Sequence, residues 1–173
     1  MKKLITTIAI FLFAIVFTND IHAQKFPGLD KSPADVLLYP RRGADKVMKV
    51  VYSRPQLKGR SLSKLAPNGK VWRTGANEAS QITFYKDVTF GGKSVKAGTY
   101  SLFTIPGEKE WTIIINSATN DWGAFSYNEG KDVARVKASV SKAAKTIEAF
   151  SMAANGGKLY LGWGDVVVAV PME

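Results

Sequence analysis

The chain has 173 residues, with 24 Lys and Arg against 14 Asp and Glu, a formal charge of +10, no cysteine and a single histidine, His22. Without cysteine there is no thiol nucleophile, CxxC redox pair or disulfide framework, and once His22 leaves with an N-terminal leader there is no Ser-His-Asp triad or histidine zinc site. Acid–base work then falls to carboxylates, Lys or Tyr; a metal would need oxygen ligands, and neither a metal nor another cofactor is expected.

Lys2 and Lys3 precede an apolar run from Leu4 to Phe17, polar residues follow at Thr18 to Asp20, and Ile21-His22-Ala23 places a small residue at the cleavage position. This is the pattern of a secretory signal peptide over residues 1–23. The run is shorter than the about 20 apolar residues that span a bilayer, and no second one follows, so no transmembrane segment is expected after cleavage. With no cysteine for a lipid anchor, the expected location is the periplasm or the outside. Residues 24–33 read as an N-terminal tail and residues 34–173 as one domain, long enough to bury a core.

The charge excess is local. Residues 24–73 carry 12 basic and 3 acidic residues, whereas residues 74–173 carry 10 of each. Such a field favours an anionic small molecule or glycan as partner. Nucleic acid is not expected, because export removes the usual target and no recognised binding motif accompanies the charge. Oligomeric state is not legible.

After the tail, β-branched and aromatic runs recur in chain order. They are Ala34 to Tyr39, Val47 to Ser53, Gln81 to Tyr85, Val88 to Phe90, Thr99 to Ile105, Trp111 to Asn116, Val133 to Val140, Thr146 to Met152, Leu159 to Trp163 and Val166 to Val170. Alternation within them predicts strands. Gly91-Gly92, Pro106-Gly107, Asn155-Gly156-Gly157 and Gly164-Asp165 supply turns between them. Ser61 to Ala66, stopped by Pro67, and Ser141 to Lys145 suit a helical turn. The expected fold is all-β: a single antiparallel β-sandwich, jelly-roll or Greek-key like or a meander, with one long ordered loop over residues 54–80.

The motifs Tyr52-Ser-Arg-Pro, Lys58-Gly-Arg60, Gly69-Lys-Val-Trp-Arg-Thr-Gly-Ala-Asn-Glu-Ala79, Ala97-Gly-Thr-Tyr-Ser-Leu-Phe-Thr-Ile-Pro-Gly107, Trp111 and Trp122-Gly-Ala-Phe125 together resemble domain of unknown function 2911, a family of exported bacterial proteins. The resemblance covers nearly all of the chain after the leader. It implies a secreted β-rich domain and carries no catalytic assignment.

Chemistry-bearing residues concentrate in the long loop. Arg54, Lys58, Arg60, Trp72, Arg73, Asn77 and Glu78, joined by Trp122 from a second loop, are the candidate ligand-binding set. Arg54 is held extended by Pro55, and Gly59 and Gly75 allow reversals beside Arg60 and Arg73, so three guanidiniums are placed to converge. Two readings follow. In one, Glu78 accepts their hydrogen bonds and clamps the loop to the sheet; in the other, surplus positive charge forms an anion or glycan receptor. Trp72, Trp122, Phe125 and Tyr127 fall outside strand alternation and suit either a sugar-stacking surface or a cap on the sandwich. Glu78 and Asp121 are the only catalytic candidates, as the paired carboxylates of a polysaccharide hydrolase. The favoured reading is a binding or structural cell-envelope module, with the carboxylate-dependent hydrolase as alternative.

Overall fold

The computed structural model, which describes residues 24–173, is built almost entirely of strands; the expected signal peptide, residues 1–23, lies outside the described residues. In chain order the elements are β1 (Ala34–Tyr39), β2 (Met48–Ser53), the one-turn helix α1 (Leu62–Leu65), β3 (Ser80–Phe84), β4 (Val88–Phe90), β5 (Lys93–Val95), β6 (Gly98–Ile105), β7 (Glu110–Asn116), β8 (Asp132–Asn155) and β9 (Lys158–Pro171). Met48, Val50 and Tyr52 of β2 are buried while the residues between them are half-buried, and Ser80, Ile82 and Phe84 of β3 repeat the pattern. One face of each strand therefore builds the core.

Seven strands form one antiparallel sheet in the order β1-β2-β3-β6-β7-β8-β9, with β4 and β5 as a separate ribbon. The connections are those of a meander, and the sheet curls over itself into a sandwich-like half-barrel. The bend lies in β8. Between Lys142↔Val166 and Ile147↔Gly164, β8 advances five residues while β9 advances two. Such bulges turn a strand sharply. They carry the far half of β8 back across the core to the chain leaving β2, where Phe150 N–H donates to Pro55 O (2.9 Å) and Leu57 N–H to Glu148 O (3.0 Å).

Inside the curl, Trp72 stacks on Trp163 (centroids 5.3 Å apart, 18° between planes) and meets Phe150 and Trp111 edge-on at 5.0 and 6.1 Å. Both central indoles satisfy their N–H groups on backbone: Trp72 Nε1 donates to Gly75 O (3.1 Å) and Trp163 Nε1 to Glu148 O (3.2 Å). Large aromatic area is buried here with both of these indole donors satisfied.

Two local expectations resolve differently, and one strand was not expected. Ser141 to Lys145, expected as a helical turn, belongs to the bulged part of β8. Gly164-Asp165, expected as a turn, lies within β9, where Gly164 at φ +60° serves the bend. β5 goes unpredicted because Lys93-Ser94-Val95 is too short to show a period. The helical turn after Ser61 is present, with Ser61 Oγ accepting the Lys64 N–H at 3.3 Å.

The β4–β5 ribbon closes one end against the C-terminus: Thr89 and Glu173 exchange backbone bonds at 2.7 and 3.0 Å, and Gly91 N–H donates to Pro171 O at 2.8 Å. Gly91 has φ +54°, and a Cβ there would lie 2.1 Å from Val136 Cγ1. Gly91→Ala is therefore expected to destabilise the fold by about 1–3 kcal/mol through overpacking and backbone strain. Urea unfolding should show a lower midpoint at unchanged slope.

Candidate functional site

The candidate residues divide between two places. Arg54, Lys58 and Arg60 lie where the chain after β2 meets the far half of β8. Arg54 donates through Nε to Phe150 O (3.1 Å), through Nη2 to Ser151 Oγ (2.7 Å) and through Nη1 to Asp35 Oδ2 (3.2 Å). It straps β1 to β8. Arg60 turns back on its own loop, donating to Leu57 O (2.9 Å) and Gln56 O (2.8 Å). Lys58, at φ +49°, places its backbone N–H on Glu148 Oε1 (2.7 Å).

Trp72 was expected in a ligand-binding set, but it is buried at the centre of the core. Its backbone pairs with Thr104 of β6 in both directions, at 2.7 and 2.9 Å, and this continues the inward-facing row of the sheet. A ring enclosed by three other aromatics offers no face to a ligand.

The second place is a ribbon made of two loops. Ser80 N–H donates to Arg73 O (3.0 Å), which closes residues 74–79 into an excursion just before β3. Thr74 and Asn77 take positive φ, 55° and 60°, and let it turn. The excursion runs antiparallel to residues 121–123: Ala79 N–H donates to Asp121 O (2.9 Å), Gly123 N–H to Asn77 O (3.0 Å), and Glu78 bridges Trp122. Directly opposed residues share a face and their neighbours point the other way. Glu78 and Trp122 therefore stand side by side, whereas Asp121 belongs to the reverse face.

Burial agrees with this division. Glu78 is exposed, Trp122 is 59 % exposed and nearby Phe125 86 %. Asp121 Oδ1 accepts from Ser126 Oγ (2.7 Å), while Asp121 Oδ2 and Arg73 Nε are buried without a hydrogen-bond partner. Gly123 separates the Phe125 ring from Arg73: a Cβ there would lie 2.8 Å from Phe125 Cε2 and 3.2 Å from Arg73 Nη1.

The three guanidiniums do not converge, and the Glu78 clamp is not formed. Among the described residues, the carboxylate paired with Arg54 is Asp35, and no arginine forms an ion pair with Glu78. Arg54 and Arg60 are drawn toward the 148–151 edge and their own loop carbonyls, and the ribbon turns Glu78 outward. Nor do Glu78 and Asp121 face each other as paired carboxylates.

Beside the ribbon lies a shallow depression of about 270 Å³, lined by Val51, Ser53, Glu78, Gln81 and Asn120 among others. Ser53, Gln81 and Asn120 were not singled out from sequence. The outward positions of β2 and β3 point to Ser53 and Gln81 once the pleat is known, and the Asn120-Asp121 pair is an ordinary turn signal; Asn120 has φ +65°.

The 117–131 loop is pinned from below. Phe103 and Ile114 are buried, and the Tyr127 ring packs 5.1 Å from Phe103. Tyr127 Oη donates to Asp132 Oδ2 (2.7 Å), and Arg135 Nη1 donates to both, at 2.8 and 2.7 Å. Asn116 Nδ2 adds a bond to Asp132 Oδ1 (2.7 Å). Burial, then the bond to Asp132, push the Tyr127 hydroxyl well above the ordinary tyrosine range.

A family model matches residues 32–172, from just before β1 to just beyond β9. The chain belongs to the family described as Protein of unknown function (DUF2911). Comparison with curated proteins and with solved structures gave no match. The family match spans both loop groups and assigns no chemistry to either.

Two measurements check this geometry. Arg54→Ala is expected to cost about 1–3 kcal/mol by leaving the half-buried Phe150 carbonyl and Ser151 hydroxyl without their donor, whereas Glu78→Gln should stay within about 0.5 kcal/mol of wild type. Thermal unfolding of the two variants distinguishes the strap from the clamp. A second test is alkaline. The folded state holds the Tyr127 proton more tightly than the unfolded chain, so its contribution is complete below about pH 10 and is lost as pH rises above that value. Burial also raises the Tyr52 hydroxyl, so ultraviolet titration of tyrosinate should show late-ionising groups of which Tyr127→Phe removes one.

Proposed function

We propose that this protein is an exported, non-catalytic glycan-binding module of the cell envelope, and that the Glu78–Trp122 ribbon is its recognition surface. The observation that carries the reading is the placement of an exposed indole directly across a backbone-paired ribbon from an exposed carboxylate. A pyranose ring has an apolar C–H face and a rim of hydroxyls. An exposed aromatic covers the first, and Glu78, Gln81 and Asn120 supply acceptors and donors for the second. The leader-like N-terminal sequence supports export, and the paired backbone supports a surface that is formed before ligand arrives.

The hydrolase alternative needs two carboxylates flanking one scissile bond, about 5–9.5 Å apart. Glu78 and Asp121 occupy opposite faces of the ribbon, which favours binding over hydrolysis.

Calorimetry of the purified protein against a panel of neutral and acidic oligosaccharides tests the proposal. Trp122→Ala should weaken binding at least tenfold, about 1.4 kcal/mol, with no change in melting temperature. Glu78→Gln should cause a smaller loss. If no oligosaccharide binds, or Trp122→Ala binds like wild type, the reading fails. If the wild type releases reducing ends and Glu78→Gln does not, the protein is a hydrolase.

A further inference from the structure

The Glu78–Trp122 surface uses little of the positive charge concentrated in residues 24–73. Part of that charge gathers elsewhere. Lys31, Lys58 and Arg60, with Ser32 and Gln56, line a depression of about 400 Å³ whose lining includes no carboxylate. Among the described residues, none of the three cations takes part in an ion pair. Like charges repel, so three of them around one hollow with no internal counter-charge form a field suited to an anion.

The hollow has a fixed frame. Gln56 bridges Ala149 of β8, and Leu57 N–H is bonded to Glu148 O at 3.0 Å. The two bonds from Arg60 to the carbonyls of Leu57 and Gln56 set the plane of its guanidinium, and a guanidinium has donors left after two bonds. Two carboxylates stand beside the hollow, Glu148 and Asp30; Asp30 Oδ1 accepts from the Ser32 backbone N–H at 2.6 Å, and among the described residues neither pairs with the three cations. Glu148 Oε1 is engaged by the Lys58 backbone N–H at 2.7 Å, so the Lys58 ammonium is not its partner.

We propose that this depression is a binding site for a phosphate-type oxyanion, held by Lys31, Lys58 and Arg60 with the Ser32 hydroxyl and the Gln56 amide. Three cations exceed the two neighbouring carboxylates, Glu148 and Asp30, which are each engaged by a backbone N–H. A tetrahedral phosphate, with several acceptor oxygens and up to two charges, can use donors arriving from separate directions. The same chemistry is presented by a soluble phosphate and by an anionic phospholipid headgroup.

The test uses amide NMR of the purified protein titrated with inorganic phosphate, in parallel with co-sedimentation on phosphatidylglycerol vesicles and on phosphatidylcholine vesicles. The key variant is Lys31→Gln/Lys58→Gln, which leaves every described backbone contact in place because Lys58 bonds through its N–H. Saturable shifts at residues 56–60, weakened tenfold or more in the double variant and reduced by added salt, support the proposal with a soluble ligand. Co-sedimentation confined to phosphatidylglycerol and lost in the same variant supports it with a lipid source. Arg60→Lys, which keeps the charge and loses the fork, should fall between wild type and the double variant. If wild type binds neither probe, or if the double variant, folded by its melting curve, binds like wild type, the proposal is overturned.

Discussion

Two backbone hydrogen bonds, Leu57 to Glu148 and Phe150 to Pro55, hold the curl of the sheet closed. A meander has no intrinsic reason to return to its start. Here the bulges in β8 supply the bend, and the chain leaving β2 supplies an edge for the bent half to pair with. Once paired, the curl seals Trp72 against Trp163 and Phe150. Arg54 reinforces the seam with three donors, one of them shared with Asp35 on β1. The apolar gain from burying the indoles is large, but it is realised only while the seam excludes water.

The seam also decides where chemistry can sit. It consumes Arg54 and most of the polar capacity of residues 55–57, so the first part of the long loop contributes structure and leaves only its outermost cations free. The second part, residues 73–79, is anchored by the Arg73–Ser80 bond and by pairing with residues 121–123. That second anchor rests in turn on the Phe103–Tyr127–Asp132 support beneath the 117–131 loop. An exposed Trp122 on such a base has little freedom to lose on meeting a ligand, and this is how a loop acquires the precision of a strand.

The fold was largely legible because alternation in strands such as Met48–Ser53 and Ser80–Phe84 records burial on one face directly. The bend in β8 was not. Residues 141–145 are short, polar and mixed in propensity, and only pairing with a distant strand makes them a bulged strand. The site was legible as a list of residues but not as a geometry. Trp72 and Trp122 look alike in sequence, each an indole beside a charged or glycine residue, yet backbone pairing with Thr104 turns the first inward and pairing with Glu78 turns the second outward. The charge count was legible too. Which arginine takes which acid was not, because Arg54 finds Asp35 across a β1–β2 register that no local pattern encodes.

The seam joins residues far apart along the chain: Arg54 reaches Ser151 across 97 positions, and Tyr39 meets Gly157 across 118. Each such contact must wait for a long loop to close, and the entropy of closure is spent before any of the contact energy returns. The hairpins β1–β2, β6–β7 and β8–β9 need no such wait. Folding is thus divided into quick local pairing and slow global closure, and until closure the indoles at 72, 111 and 163 remain open to solvent and to other chains. The stage at which this protein is most vulnerable to aggregation is set by its own topology.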